Sequence, residues 1–395
     1  MYKFKEDKMN VPCFVWAEKG EIEQGAIDQI KNASSLPFAF HHTALMPDGH
    51  FGFGAPIGGV LATKGVIMPN FVGKDIACGL CAVKTSLTEI DTPTLKKIMG
   101  EIRKAIPVGF NHHKEKQDEN LMPEIVRTRI GGEIVDKEYQ NALYQLGSLG
   151  SGNHFCEIQK GSDGYIWIMI HSGSRNLGFK VADYYNKLAI ELNKKWHSQV
   201  PKEWDLAFLP TDSEEGQAYL KEMNYCVDFA LANRKLMMER IKDCFNQFVD
   251  KSYAINFNID PMINIAHNYA SQENHFGQNV WVHRKGATLA REGTIGIIPG
   301  SMGTHSYIVK GKANKDSFNS CSHGAGRKMG RKEAIRTLNL EEEQKKMEGI
   351  IGAPRNQDDL EEAPGAYKDV KEVMANQTDL IEILVELTPL AVIKG

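Results

Sequence analysis

Segments dense in glycine, small apolar residues and histidine recur from residue 41 to residue 327, and ordinary helical stretches separate them. Glycine permits tight turns and close backbone approach, so each such segment reads as a turn between short strands. Their wide spacing argues for one site assembled from distant loops rather than a string of separable modules. The length of 395 residues supplies one large or two ordinary domains, with ample material for a buried core.

Between these segments the periodicity is helical. Residues 21–35 carry Ile22, Ala26, Ile30 and Ala33 at helical spacing. Residues 91–106 read as a helix capped by Asp91, with Pro93 close behind. The clearest helices are 179–196 and 213–249; in the second, Leu220, Met223, Val227, Ala230, Leu231, Arg234, Met237 and Met238 follow helical spacing, and the methionines read as core. Short strands are expected within 41–81, at 165–170 and within 280–309. The chain closes on a helix or strand at 380–385 and a tail at 390–395.

No apolar run approaches the roughly 20 residues of a membrane helix. The opening Lys3, Lys5, Glu6, Asp7 and Lys8 lack the apolar stretch of a secretory signal, so a cytoplasmic protein without membrane contact is expected. Seven cysteines without regular spacing argue against a disulfide framework and make any special cysteine a thiolate candidate. With a net charge of -3, a nucleic-acid partner has to be held by a local basic cleft.

His323 stands between Ser322 and Gly324, with Ala325, Gly326, Arg327 and Lys328 following. Small neighbours leave room for a bulky group to approach the ring, and an imidazole can attack phosphorus while nearby cations neutralise the charge. A tight glycine turn with a surface histidine is the plain alternative. Asp75 and Cys78 lie three apart in a glycine-containing loop, and Cys78 with Cys81 also fits a C-x-x-C half-site, although no second such pair occurs. Residues 146–157 resemble a phosphate-cradling turn that runs into a strand, but lack the Lys-Ser/Thr ending of a P-loop. His154, His171 and His267 each sit beside Gly, Ser or Asn. Together with Asp75 and Cys78 they form a mixed N/O/S set that suits manganese, cobalt or zinc, and in number they point to two ions sharing a ligand.

In these features the chain resembles the RtcB family of GTP-dependent RNA ligases. Ordered matches cover nearly its whole length: 46–50 (MPDGH), 73–79 (GKDIACG), 150–155 (GSGNHF), 171–175 (HSGSR), 266–269 (AHNY), 283–288 (HRKGAT), 299–306 (PGSMGTHS), 323–331 (HGAGRKMGR), 362–369 (EAPGAYKD) and the final Lys394 and Gly395. The resemblance implies a single α+β domain over 1–395, with mixed sheets flanked by helices, a metal site in a central cleft, and the helical segment of about 179–250 outside it. It implies joining of RNA 3'-phosphate or 2',3'-cyclic phosphate ends to 5'-hydroxyl ends, in tRNA splicing or RNA repair. An activating protein partner is compatible with it.

By the same resemblance, Cys78 bridges two Mn2+ ions, His154 and His171 complete one site, and Asp75 and His267 complete the other; Co2+ or Zn2+ also suit the donors. His323 is the nucleophile that takes GMP from GTP. The nucleotide is held by Asn153, His154, Phe155, Cys156, Glu157, His267, Asn268, Pro299, Gly300, Ser301, Met302, Ser306, His323, Gly324, Ala325 and Gly326, with Lys394 reaching the guanine. Arg175 and Arg327 are candidates for RNA phosphates. Lys74, His305 and Gly330 depart from the family pattern without removing a ligand or the nucleophile. The alternatives are a metal-dependent phosphodiesterase that processes RNA ends, which needs neither His323 nor Lys394, and a non-catalytic RNA-binding protein, which has no need of all six ligand and nucleophile positions.

Overall fold

The computed structural model describes residues 1–124, 132–249 and 254–395. Its architecture is α+β, as expected, with two large sheets. A six-stranded sheet runs in the order Tyr2–Phe4, Cys13–Val15, Ala39–His50, Ile57–Thr63, Gln278–Lys285 and Asn268–His275. A seven-stranded sheet runs Ile263–Ala266, Gly79–Lys84, Ile166–Ser172, Phe155–Gly161, Ile381–Lys394, Ser306–Gly311 and Ile295–Ile298. In these two sheets the one parallel pairing is Cys13–Val15 beside Ala39–His50.

Side chains alternate across a strand, which gives the seven-stranded sheet two unlike faces. Cys81, Val83, Cys156, Ile158, Ile168 and Ile170 pack on one side with Leu95, Ile98 and Ile102 of helix Thr92–Ala105 and with Met237, Met238 and Ile241 of helix Glu214–Phe248. Leu80, Ala82, Phe155, Trp167 and Met169 occupy the other, with Ile297, Ile308 and Val392. The same period assigns Glu157, His171 and Lys394 to this second face. It also removes the C-x-x-C reading, because Cys81 is turned into the helix-covered core, its Sγ 3.9 Å from the Arg234 carbonyl.

The helices follow the sequence signals. Asp91 caps its helix by accepting from the Thr94 N–H at 2.9 Å, Ser213 does so from the Gly216 N–H at 3.0 Å, and Met223, Met237 and Met238 are buried. Helix Arg175–Lys195 begins before residue 179, directly at the strand end that carries His171. The largest difference lies at the C-terminus, where segments expected to be separate form one strand, Ile381–Lys394. Pro389 is accommodated at a register irregularity between Pro389 and Ala391, the kind of position where a strand tolerates a missing N–H. The strand therefore continues until Lys394 lies opposite Phe155.

Candidate metal centre and histidine site

Four of the five expected ligands come from the ends of neighbouring strands. Cys78 precedes Gly79–Lys84, His154 precedes Phe155–Gly161, His171 lies in Ile166–Ser172, and His267 is the residue between Ile263–Ala266 of one sheet and Asn268–His275 of the other. The His267 N–H donates to the Cys78 carbonyl at 2.8 Å, which fixes the crossing point. Cys78 Sγ stands 3.3 Å from His154 Nε2 and 3.2 Å from His171 Nε2, while His171 Nε2 and His267 Nε2 are 3.0 Å apart. Asp75 Oδ2 lies 3.1 Å from His154 Nε2.

This donor set fits a divalent cation. Two triplets, Cys78 with His171 and His267, and Asp75 with Cys78 and His154, each gather their ligand atoms within 4.8 Å. Cys78 is common to both, as a bridging ligand has to be. The triplets pair Asp75 with His154 and His171 with His267, a different division from the one the resemblance implies. His154 Nδ1 is held 2.9 Å from the Leu149 carbonyl and His267 Nδ1 3.3 Å from Asn268 Oδ1, which places the proton on Nδ1 and leaves the Nε2 lone pairs facing the cluster. Burial, reinforced by neighbouring histidines, pushes His171 and His267 well below their ordinary pKa and keeps them neutral, the ligating form. Burial and the Asp75 charge push the Cys78 thiol well up, so metal uptake would displace its proton.

Helix Glu214–Phe248 braces these loops from beneath. Arg234, fully buried, donates from Nη1 to the carbonyls of Ala77 at 3.1 Å and Ser172 at 2.8 Å. Asn233 Oδ1 accepts from the Gly147 N–H at 2.7 Å and the Ser148 N–H at 3.2 Å. Helical spacing had placed Arg234 among apolar positions, and its burial agrees; the two carbonyls it serves come together only in the fold. Gly150 (φ 103°) sits where any Cβ would run into the Arg175 guanidinium and the His154 ring, so this turn admits only glycine.

His323 follows the short strand Ser320–Ser322, and its ring centroid is 4.7 Å from that of His267. Its Nδ1 is 2.6 Å from Oδ2 of the buried Asp48, and the same oxygen accepts from the His323 N–H at 3.0 Å and the Gly324 N–H at 3.3 Å. The Nδ1–H thus donates to a carboxylate and Nε2 keeps its lone pair. Gly326 (φ 74°) allows the loop to close on the Asp48 backbone, where a Cβ would collide. Lys368 Nζ donates to the Gly49 carbonyl at 2.6 Å and steadies the segment carrying Asp48.

A cavity of about 230 Å3 joins the histidine to the metal ligands. Asn153, Phe155, His267, Asn268, Pro299, Gly300, Gly324, Ala325, Gly326 and Lys394 line it, as do Asp75, Cys78, His171 and Arg327. His154 opens instead on a neighbouring cavity, and Met302 on a third that Lys394 shares. Ser306 Oγ accepts from the Gly300 N–H at 3.2 Å, and Ser301 N–H donates to Thr304 Oγ1 at 2.7 Å, so both shape the loop behind the cavity wall. The Cys156 side chain is turned into the opposite core, leaving only its backbone on this side. Lys394 Nζ lies 5.3 Å over the Phe155 ring.

Both expected phosphate arginines have internal partners. Arg175 donates to Ser148 Oγ and the Gly109 carbonyl, each at 3.2 Å. Arg327 Nη1 is 3.1 Å from Glu362 Oε1, which also takes Arg331 Nε at 3.1 Å, and Lys394 Nζ is 3.8 Å from Glu362 Oε2. Sequence reasoning assigned no role to Asp48, Arg331, Glu362, Tyr367 or Lys368. The motifs MPDGH, HGAGRKMGR and EAPGAYKD contain them, but a carboxylate's partner is not readable from a motif. Of the departures, Lys74 Nζ lies 4.6 Å over the Phe53 ring, His305 bonds Thr388 at 3.2 Å, and Gly330 is the N-cap of helix Arg331–Thr337 without a side-chain cap.

Glu157 lends itself to a pH test. Burial raises its pKa from 4.5 to about 8, against the pull of Lys394 and of the Gln159 amide 2.7 Å away. Between those values the folded chain holds a proton that the unfolded chain has lost, so this group's contribution to stability falls as pH rises. Glu157→Gln removes the effect. Its melting temperature relative to wild type should rise from about pH 5 to about pH 9, measured by calorimetry.

The fold and site define a mixed α+β protein whose buried cysteine and histidine cluster is compatible with a metal site. The family model described as "tRNA-splicing ligase RtcB" matches residues 29–395. The RNA-splicing ligase RtcB of Escherichia coli (strain K12) is 37% identical over 98% of this chain and 98% of its own length. The tRNA-splicing ligase RtcB of Methanococcus maripaludis is 34% identical, covering 99% and 96% respectively, and the RNA-splicing ligase RtcB of Mycobacterium tuberculosis is 33% identical, covering 93% and 100%. The chain belongs to the RtcB family. Among the described residues, no helix is long and apolar enough to cross a membrane.

Proposed function

We propose that this chain is a GTP-dependent RNA ligase that joins 3'-phosphate or 2',3'-cyclic phosphate ends to 5'-hydroxyl ends, in tRNA splicing or RNA repair. The relatives' names support the class of reaction. The observation that carries the chemistry is the Asp48–His323 pair beside the cluster of Cys78, His171 and His267.

His323 Nε2 attacks the α-phosphorus of GTP, the bond to pyrophosphate breaks, and GMP stays on the ring nitrogen. Asp48 orients the imidazole and stabilises the positive charge it gains. An oxygen of the RNA 3'-phosphate then attacks the bound GMP phosphorus, frees His323, and yields an end activated as RNA-3'-pp-5'-G. The 5'-hydroxyl attacks that end and GMP departs. A cyclic phosphate end is opened by water first. Asp75, Cys78, His154, His171 and His267 would hold two Mn2+ ions, with Co2+ or Zn2+ also compatible, and these would supply Lewis acidity at the phosphate oxygens. Phe155 and Lys394 line the cavity that would take the nucleotide, with Lys394 as the residue assigned to the guanine.

Asp48→Asn keeps the shape but removes the charge and allows the wrong tautomer. GMP loading should slow by on the order of 10²- to 10⁴-fold, measured by quench-flow with labelled GTP. The reading as a whole is tested by supplying two RNA strands, one ending in 3'-phosphate and one starting with 5'-hydroxyl, with manganese and GTP. Joined product that needs GTP, and is not formed with ATP, is expected; removal or opening of the 3'-phosphate without joining would favour end processing.

A further inference from the structure

The metal cluster is bordered by two cavities. One contains His323; the other, of about 530 Å3, is lined by Lys74, Asp75, Phe110, His154, Arg175 and Phe179 among others, and Asp75 borders both. The second cavity presents aromatic rings to water. Phe110 is 95% exposed and Phe179 43%. The exposed Phe53 lies beneath the Lys74 ammonium at the same rim.

The Phe110 turn is held in place rather than loose. Val108 pairs with Gly150, the Gly109 N–H donates to the Gly150 carbonyl at 2.6 Å, and Arg175 Nη2 donates to the Gly109 carbonyl at 3.2 Å. Beyond the ring, the His113 N–H donates to the Tyr144 carbonyl at 2.9 Å, and the His113 ring lies 3.1 Å from the Gly147 carbonyl and 2.7 Å from Arg240. The held backbone thus carries an aromatic ring into solvent beside a site bearing a cation. Exposed rings on an anchored backbone with a neighbouring lysine are the make-up of a single-strand nucleic-acid platform, where bases stack and cations meet phosphates.

Resting on the ligase reading above, in-line displacement decides which strand uses it. The attacking oxygen and the leaving group lie on opposite sides of phosphorus. GMP leaves toward the cavity of His323, so the attacking 5'-hydroxyl has to enter from the far side of the metal ligands, where Asp75 and His154 face this second cavity. We propose that the strand bearing the 5'-hydroxyl docks here, its first bases stacking on Phe110 and Phe179 and its phosphates meeting Lys74. Arg175 acts as a positioning residue that holds the turn.

The test uses the full chain with manganese and GTP, and the variants Phe110→Ala, whose side chain is 95% exposed, and Phe110→Ala/Phe179→Ala, with the melting temperature of each recorded to confirm folding. Two measurements are made: anisotropy of a labelled single-stranded RNA with a 5'-hydroxyl, and the KM of each strand in two-strand ligation. The double variant should bind the 5'-hydroxyl strand about tenfold more weakly and raise its KM about tenfold, with the KM of the 3'-phosphate strand unchanged. Wild-type affinity for the 5'-hydroxyl strand, or equal losses for both strands, would overturn the proposal and leave the groove to a protein contact or to general RNA binding. GMP loading of wild-type protein separates the two ideas: its absence sinks the ligase reading, while the anisotropy series still decides whether the groove takes RNA.

Discussion

His323→Ala is expected to yield a folded, metal-binding protein that takes up no GMP. The imidazole side chain is 13% exposed, so its removal leaves a gap at the cavity wall rather than a hole in the core. Asp48 would lose one of the three donors on Oδ2 and keep two, the backbone N–H groups of residues 323 and 324, so the buried carboxylate is not stranded. The metal triplets do not include His323. Metal content by plasma mass spectrometry and the melting temperature should stay near wild type while labelling from GTP falls to background. Wild-type labelling in this variant would place the nucleophile elsewhere.

Cys78→Ala is expected to remove the metals and, with them, GMP loading. Its Sγ is the atom common to both ligand triplets, so one substitution reduces each from three protein ligands to two, below the three that a catalytic zinc-type site keeps. Cys78→Ser, with a harder and less basic donor, should retain partial content. Because the free thiol is held protonated by burial and by Asp75, metal uptake by the wild-type protein should release protons and weaken as pH falls, whereas the alanine variant should show neither effect by titration calorimetry in buffers of different ionisation heat. Full metal content in Cys78→Ala would contradict the shared-ligand arrangement.

Much of this was legible in the chain because its chemistry is written in local patterns. Asp91 and Ser213 are caps with near-neighbour partners, and the methionines of 213–249 follow a period that points to core. Cys78, His154, His171 and His267 lie in glycine- or asparagine-marked turns at strand ends, which is where a fold brings loops together. What escaped depends on long-range pairing. Asp48 and His323 are 275 positions apart, and Arg234 reaches the Ala77 carbonyl from 157 positions away, so neither leaves a local trace. The final strand reads in the sequence as two separate segments, 380–385 and 390–395; only the irregular register between Pro389 and Ala391 shows how the sheet carries the chain through as one. Cys156 was grouped with its neighbours by motif, and strand alternation turns its thiol away from them.

The most direct test of the central claim is the intact mass of the purified protein after incubation with GTP and manganese, with ATP as control. A gain of one GMP with GTP alone, labile in acid and mapped to His323, is the predicted result. No adduct with any divalent ion, or an adduct on another residue, would contradict it.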